Sequence, residues 1–202
     1  RIQGADCCGR IVAVGDGVDA GRIGERVLVR GCMLGYSQGR PFDCRWLGSE
    51  QDGGFAQYTR APSVDTFAVD SDWSDVELGS VPCAWSTAEG LLHRSGVAPG
   101  DRVLVTGASG GVGSAAVQLA RARGAEVIAV ASPSKAHWVA GLGATRVIGR
   151  DADPAEALGE SAVSVVVDLV AGPGWPRLLD ALERGGRYAT AGAIAGPIVE
   201  LD

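Results

Sequence analysis

The sequence predicts an α/β fold, a doubly wound parallel sheet preceded by a smaller all-β portion. Three observations carry this expectation. After residue 100, apolar β-like runs alternate with segments of helical length. A Gly-rich turn joins the first such run to the first such segment. Before residue 100, short β-like runs are punctuated by Gly and Asp, as in a barrel or sandwich.

In the first half, strands are expected at 10–14, 26–29 and 55–59, each beside a Gly-containing turn. Residues 31–54 are rich in Gly, Pro and polar side chains and read as one long loop, a length that is usually functional or an insertion. Thr87, Ala88, Leu91 and Leu92 recur at helical spacing, and Gly96 ends that segment. It reads as a connector, which assigns 1–95 to a first domain and 96–202 to a second. In the second half, strands are expected at 103–106, 127–131, 146–148, 163–169 and 187–191. Helices are expected at 112–123, 134–141, 154–159 and 175–184. Their ends fall on Gly124, Gly141 or Gly143, Gly159 and Gly185, where a left-handed cap residue is favoured. Strands alternating with such helices imply right-handed crossovers and a parallel sheet. The run Val165-Val166-Val167 suits a strand covered on both faces.

Composition narrows the function. Apolar residues make up 46% of the 202 and charged residues 21%, which excludes disorder for most of the chain. The net charge of −6, without a basic cluster, argues against a nucleic-acid partner. No apolar run reaches the roughly 18 residues of a membrane span. The cysteines at 7, 8, 32, 44 and 83 form no regular framework and no Cys-x-x-Cys pair, which points to a reducing, cytoplasmic compartment.

The strongest motif is the strand 103–106 running into Gly107-Ala108-Ser109-Gly110-Gly111-Val112-Gly113 and then a helix. Here Gly110 is expected to make the tight turn, Gly111 to let backbone approach a diphosphate, and Gly113 to let the helix pack on the strand. The helix N-terminus then offers N–H groups and a positive dipole end to the diphosphate. The competing reading, an ordinary Gly-rich turn, is weakened by the strand-and-helix context of a dinucleotide-binding Rossmann unit. Phosphotransferase turns need Gly-Lys-Ser/Thr, which is lacking.

A site for NAD places a carboxylate at the end of the second strand, on the ribose 2′-hydroxyl. Here that strand ends at Ala131 and continues Ser132-Pro133-Ser134-Lys135. Lys135 is the one lysine beside 17 arginines. A 2′-phosphate calls for charge-assisted donors. NADPH is therefore expected, held by Ser132 and Lys135, with Arg150 as a second cation.

Taken together, several ordered segments resemble the medium-chain dehydrogenase/reductase superfamily, especially its bacterial alcohol dehydrogenase-like and quinone oxidoreductase-like members. They are Gly4-Ala5-Asp6-Cys7-Cys8-Gly9 with Val12, Val14 and Gly15; Gly24-Glu25-Arg26-Val27; Gly53-Gly54-Phe55-Ala56-Gln57-Tyr58; Cys83-Ala84-Trp85-Ser86-Thr87-Ala88; and the Gly-rich turn. The resemblance implies a partial GroES-like β-barrel domain followed by a Rossmann domain of strand order 3-2-1-4-5. Further barrel strands are expected before Arg1 and a sixth sheet strand after Asp202, so the chain is expected to be the middle of a longer enzyme. The resemblance also places Thr87, Val170 and Gly192 near the nicotinamide, and implies a homo-oligomer, a dimer, of the full-length protein.

Zinc-dependent members of that superfamily ligate their metal through Cys, His and Cys. In this chain the His position is Ala5, the adjacent acidic position is Asp6, and the last Cys position is Cys83. Catalytic zinc takes three protein ligands, and the first position would precede Arg1. Cys32 and Cys44 alone cannot supply a four-cysteine structural site. His93 and His137 read as surface or packed residues. A zinc-free enzyme is expected, with no metal ligands.

The expected activity is NADPH-dependent hydride transfer to a small-molecule quinone or α,β-unsaturated carbonyl. Such acceptors delocalise their developing charge without a Lewis acid. Ser86 and Thr87 are candidate hydroxyl donors, Cys83 a candidate site residue, and Tyr36 a candidate proton donor. The alternatives are a zinc-dependent alcohol dehydrogenase with atypical ligands and a non-catalytic NADPH-binding sensor.

Overall fold

A computed structural model describes residues 1–34 and 44–200. The described chain divides into two compact units, Arg1–Cys83 and Ala84–Asp202. Among the described residues no helix is long and apolar enough to cross a membrane.

In the first unit, β1 (Cys8–Arg10), β2 (Arg26–Val29) and β5 (Thr66–Ala68) form an antiparallel sheet in the order β1-β2-β5. A second antiparallel pair joins β3 (Cys32–Leu34) to β4 (Cys44–Trp46), with Cys32 opposite Trp46. The expected long loop 31–54 is thus bordered by strands. Apolar Met33 is what its composition concealed, since it is buried with Val29 and Leu47 in a small core. The strand expected at 10–14 ends at Arg10. The strand expected at 55–59 is absent. Phe55 and Tyr58 are exposed, so their aromatic character reported no buried face. The backbone there pairs with the N-terminal segment instead: Gly53, Gly54 and Phe55 N–H groups donate to the carbonyls of Ile2, Gly4 and Gln3 at 2.8–2.9 Å.

Helix α1 (Asp75–Gly79) was not expected. Ser74 caps it reciprocally with Glu77, the Ser-x-x-Glu pattern that satisfies two orphan donors. Arg26 ties this helix to β2 through its Nε–H to Asp75 Oδ1 at 2.7 Å.

The second unit carries a five-stranded parallel sheet. Its strands are β6 (Arg102–Val105), β7 (Glu126–Ala131), β8 (Arg146–Gly149), β9 (Val163–Asp168) and β10 (Leu182–Thr190). They lie in the order β10-β9-β6-β7-β8. Counted within the sheet this is 3-2-1-4-5, as expected. Successive residues face opposite sides of a strand. Val103, Val105, Val127, Ala129, Val165 and Val167 meet one core, with residues of α2 (Pro82–Arg94) and α3 (Gly111–Ala122). Leu104, Ile128, Ile148 and Val166 meet the other, with Leu178 and Ala181 of α6 (Trp175–Ala181). Helices α4 (Ala136–Gly141) and α5 (Pro154–Leu158) complete the crossovers. The sheet is therefore covered on both faces.

Two boundaries move. The connector helix α2 belongs to the second unit rather than to a domain 1–95, because Ala88, Leu91 and Leu92 are buried in the second unit's core. The last helix stops at Ala181, not 184, and β10 starts at Leu182 with a register shift before Arg187.

The end of the sheet away from the Gly-rich turn is held by Asp101. Its carboxylate accepts from the Ala98 N–H at 2.8 Å, the Ser164 hydroxyl at 2.8 Å, and the Arg187 guanidinium. Burial alone would raise its pKa, but these donors outweigh it and hold the carboxyl below the ordinary value. A lowered folded pKa gives stability that is present above the unfolded value and lost as pH falls through the folded one. Asp101→Asn is expected to cost about 1.5–3 kcal/mol at neutral pH. Urea unfolding should also show a smaller loss toward acid in the variant than in the parent.

Candidate functional site

The Gly-rich turn follows β6 directly. Gly107 has φ +58°, a conformation that L side chains rarely adopt, so the tight turn is made here and not at Gly110. Gly110 sits at an ordinary φ of −86° as the residue preceding α3. Its N–H closes the turn on the Gly107 carbonyl at 2.9 Å. Gly113 is required by space: a Cβ there would lie 2.2 Å from the Gly107 carbonyl oxygen and 2.7 Å from Ala108 Cα. Helix and turn therefore touch backbone to backbone. At Gly111 a Cβ would meet only Ala84 Cβ, at 3.4 Å.

The first α3 bond runs from the Ser114 N–H to the Gly110 carbonyl at 2.8 Å. The N–H groups of 111–113 precede the helical ladder and form the anion-facing end. Ala108 turns the other way. It is fully buried in the core and its N–H donates to the Val130 carbonyl at 3.1 Å.

Beside this turn lies a cavity of about 360 Å³. Of the expected cofactor residues, Ser109, Ser132, Lys135, Arg150 and Val170 all line it, together with Gly107. They come from the carboxyl ends of β6, β7, β8 and β9, where open parallel sheets bind ligands. β7 ends at Ala131, and Ser132 opens a short 3-10 turn, Pro133–Lys135, without a carboxylate. The Ser132 and Ser134 hydroxyls lie 3.2 Å apart. Arg150 is exposed and 3.9 Å from Asp151. Arg177, which sequence reasoning missed, also lines the cavity and pairs with Asp153 at 3.6 Å.

Val170 and Gly192 sit on neighbouring loops. A Cβ on Gly107 would meet Val170 Cγ2 at 3.4 Å, and one on Gly192 would meet the Leu169 carbonyl oxygen at 3.3 Å. Ser86 and Thr87 lie on α2, Ser86 exposed and Thr87 half-buried. Tyr36 lies outside the described residues.

The sequence also gave no warning of Asp168. This residue is fully buried at the end of β9 and lines the cavity. Its carboxylate accepts from Thr106 Oγ1 at 2.5 Å, from the N–H groups of Val170 and Ala171 at 3.0–3.2 Å, and from the Tyr188 hydroxyl. Burial first, and the Asp168 hydrogen bond next, push the Tyr188 phenol far above its ordinary pKa. Its ring also meets Trp175 edge-on, with centroids 5.9 Å apart. Thr106 and Tyr188 stand 62 and 20 positions from Asp168 along the chain, so no local spacing announces them.

A nicotinamide dinucleotide fits the residues present. The N–H groups at the start of α3 face the turn, and the cavity presents the Ser132 hydroxyl and Lys135 after the second strand and Arg150 after the third. The positions that the resemblance assigns to zinc ligands are only partly met. Ala5 has no ligating atom, and among the described residues no three His, Cys, Asp or Glu side chains group as a metal site. Asp6 Oδ1 instead accepts from the Cys83 N–H at 2.7 Å. Burial first, then Asp6, raises the Cys83 thiol pKa.

Residues 1–71 match the model of the alcohol dehydrogenase GroES-like domain, and residues 111–202 that of the zinc-binding dehydrogenase. The chain is similar to the polyketide synthase GfsB of Streptomyces halstedii, 36% identical over 95% of this chain and 3% of that protein. It is similar to the acryloyl-coenzyme A reductase of Metallosphaera sedula, 33% identical over 96% of this chain and 60% of that protein. A structure from Sinorhizobium meliloti 1021, solved as a candidate alcohol dehydrogenase, superposes with a TM-score of 0.92. It is 49% identical and is matched over 100% of this chain and 57% of its own. The chain thus spans 60% or less of the length of these relatives. With both domain models, the strand order and the Gly-rich turn in agreement, the chain belongs to the zinc-type alcohol dehydrogenase-like medium-chain dehydrogenase/reductase superfamily.

Proposed function

We propose that this chain carries the cofactor site of an NADPH-dependent oxidoreductase that reduces a quinone or an α,β-unsaturated carbonyl without zinc. The observation that carries the reading is the joint placement of Ser132, Lys135 and Arg150 on the cavity beside the Gly-rich turn. Among the described residues, the one carboxylate lining that cavity, Asp168, is fully buried and already accepts four donors.

The cofactor supplies the hydride. The protein's share is position and charge. N–H groups at the start of α3 hold the diphosphate, while Ser132, Lys135 and Arg150 hold the 2′-phosphate. Val170 and Gly192 form the wall against the nicotinamide, which fixes the face it presents. Ser86 and Thr87 on α2 donate to the oxygen on which charge develops. An acceptor already conjugated to its carbonyl needs no Lewis acid for that step. The similarity to an acryloyl-coenzyme A reductase supports an acceptor of the conjugated kind.

The test is steady-state turnover of a quinone and a 2-alkenal with NADPH in the full-length protein, with and without chelator. Turnover indifferent to chelator is expected. Activity lost to chelator and restored by zinc contradicts the zinc-free reading and favours the zinc-dependent alternative, in which Cys83 would be a ligand with Asp6, Cys7 or Cys8 as substitutes. NADPH binding without turnover of any acceptor favours a sensor.

A further inference from the structure

We propose that Asp168 and Thr106 are positioning residues that set the spacing between the two walls of the cofactor cavity, and that cofactor affinity depends on their shared hydrogen bond. The proposal rests on the dinucleotide reading above and concerns how the cavity keeps its shape.

One wall is the Gly-rich turn, which begins immediately after Thr106. The other is the segment after β9. Thr106 Oγ1 bridges them twice, donating to Asp168 Oδ1 at 2.5 Å and accepting from the Leu169 N–H at 2.8 Å. Thr106 is itself 5% exposed, so no water competes for these bonds. The Thr106 N–H, at 3.0 Å from the Val167 carbonyl, continues the ladder up to this point.

The second wall needs holding. Ala171 adopts φ +54° and ψ −150°, a region that is nearly restricted to glycine. A non-glycine residue persists there only where its surroundings over-determine it. The surroundings are the Asp168 carboxylate, whose two oxygens both accept from the Ala171 N–H at 3.2 Å. The same carboxylate takes the Val170 N–H at 3.0 Å, and Tyr188 fixes its far oxygen from β10. Thr106, Gly107, Asp168, Val170 and Ala171 all line the cavity. A strained segment facing a ligand cavity, held by a buried carboxylate, is a preorganised wall and not only a packed one.

The test uses Thr106→Val, which keeps the shape of the side chain and loses the hydroxyl, and Thr106→Ser, which restores it. Dissociation constants for NADPH and NADH are measured by fluorescence titration, alongside thermal midpoints. For Thr106→Val, both cofactors should weaken by about tenfold with their ratio unchanged, and Thr106→Ser should return to within about threefold of the parent. Should Thr106→Val fail to fold, Tyr188→Phe removes one donor from the same carboxylate and should weaken both cofactors by about threefold. A lowered thermal midpoint with unchanged dissociation constants overturns the positioning role. A changed NADPH-to-NADH ratio also overturns it, by assigning Thr106 to the 2′-phosphate. If the full-length parent binds neither cofactor, the dinucleotide reading fails, and the proposal with it.

Discussion

Gly113→Ala is expected to abolish dinucleotide binding and to lower the unfolding free energy by about 3 kcal/mol. The added Cβ would lie 2.2 Å from the Gly107 carbonyl oxygen and 2.7 Å from Ala108 Cα. Both neighbours are backbone. Neither can swing aside as a side-chain terminus would. Relief requires α3 to retreat from the turn, and that retreat carries the anion-facing N–H groups away from the diphosphate position. Two neighbouring substitutions separate fold from binding. Gly110→Ala has the Gly107 carbonyl oxygen at 3.4 Å as its nearest neighbour, and φ is negative, so stability should change little. Gly111→Ala is also tolerated by the fold, with Ala84 Cβ at 3.4 Å, but places a methyl where the diphosphate approaches. It should weaken binding without weakening the fold. Denaturant unfolding paired with NADPH titration reads all three variants.

Asp168→Ala has the second large effect, a loss on the order of 4 kcal/mol. The truncation strands the Thr106 and Tyr188 hydroxyls and two N–H groups around a fully buried carboxylate position. Each buried donor left unsatisfied costs about 1–3 kcal/mol, and partial relaxation keeps the total below the sum. The melting temperature should fall on the order of 10 °C or more. Ala171→Gly separates strain from anchoring. Glycine accepts φ +54° freely, so this variant should be at least as stable as the parent and should recover part of the loss when combined with Asp168→Ala. Calorimetry of the two single variants and the double variant closes that cycle.

Some of this protein was written locally and some was not. The parallel sheet was legible because its strands are near-continuous apolar runs and α3, α4 and α5 stop at or beside glycines. The Gly-rich turn was legible as a motif, yet the division of labour within it was not. Gly107 rather than Gly110 takes the positive φ, a distinction that depends on where the strand ends by one or two residues. The capping box at Ser74 and Glu77 was present in the sequence and marks a five-residue helix too short to show periodicity. Phe55 and Tyr58 misled in the other direction. Their aromatic character favours a strand, but the segment gives its hydrogen bonds to residues 2–4 and leaves both rings exposed.

The candidate site divides the same way. Ser132, Lys135 and Arg150 could be named from strand ends, because a parallel sheet brings those ends to one edge. Arg177 and the Asp168 cluster could not. They depend on side chains from β6, β9, β10 and α6 meeting across the fold, and nothing in their spacing marks the meeting.

The most direct measurement is the pair of dissociation constants for NADPH and NADH, in the parent chain and in Lys135→Ala. The parent should prefer NADPH by at least about tenfold, since one charge-assisted contact to a phosphate contributes about 1.5–3 kcal/mol. Lys135→Ala should lose most of that preference with NADH affinity unchanged. Equal affinities in the parent, tighter binding of NADH, or a preference untouched by Lys135→Ala would contradict the placement of a 2′-phosphate at Lys135.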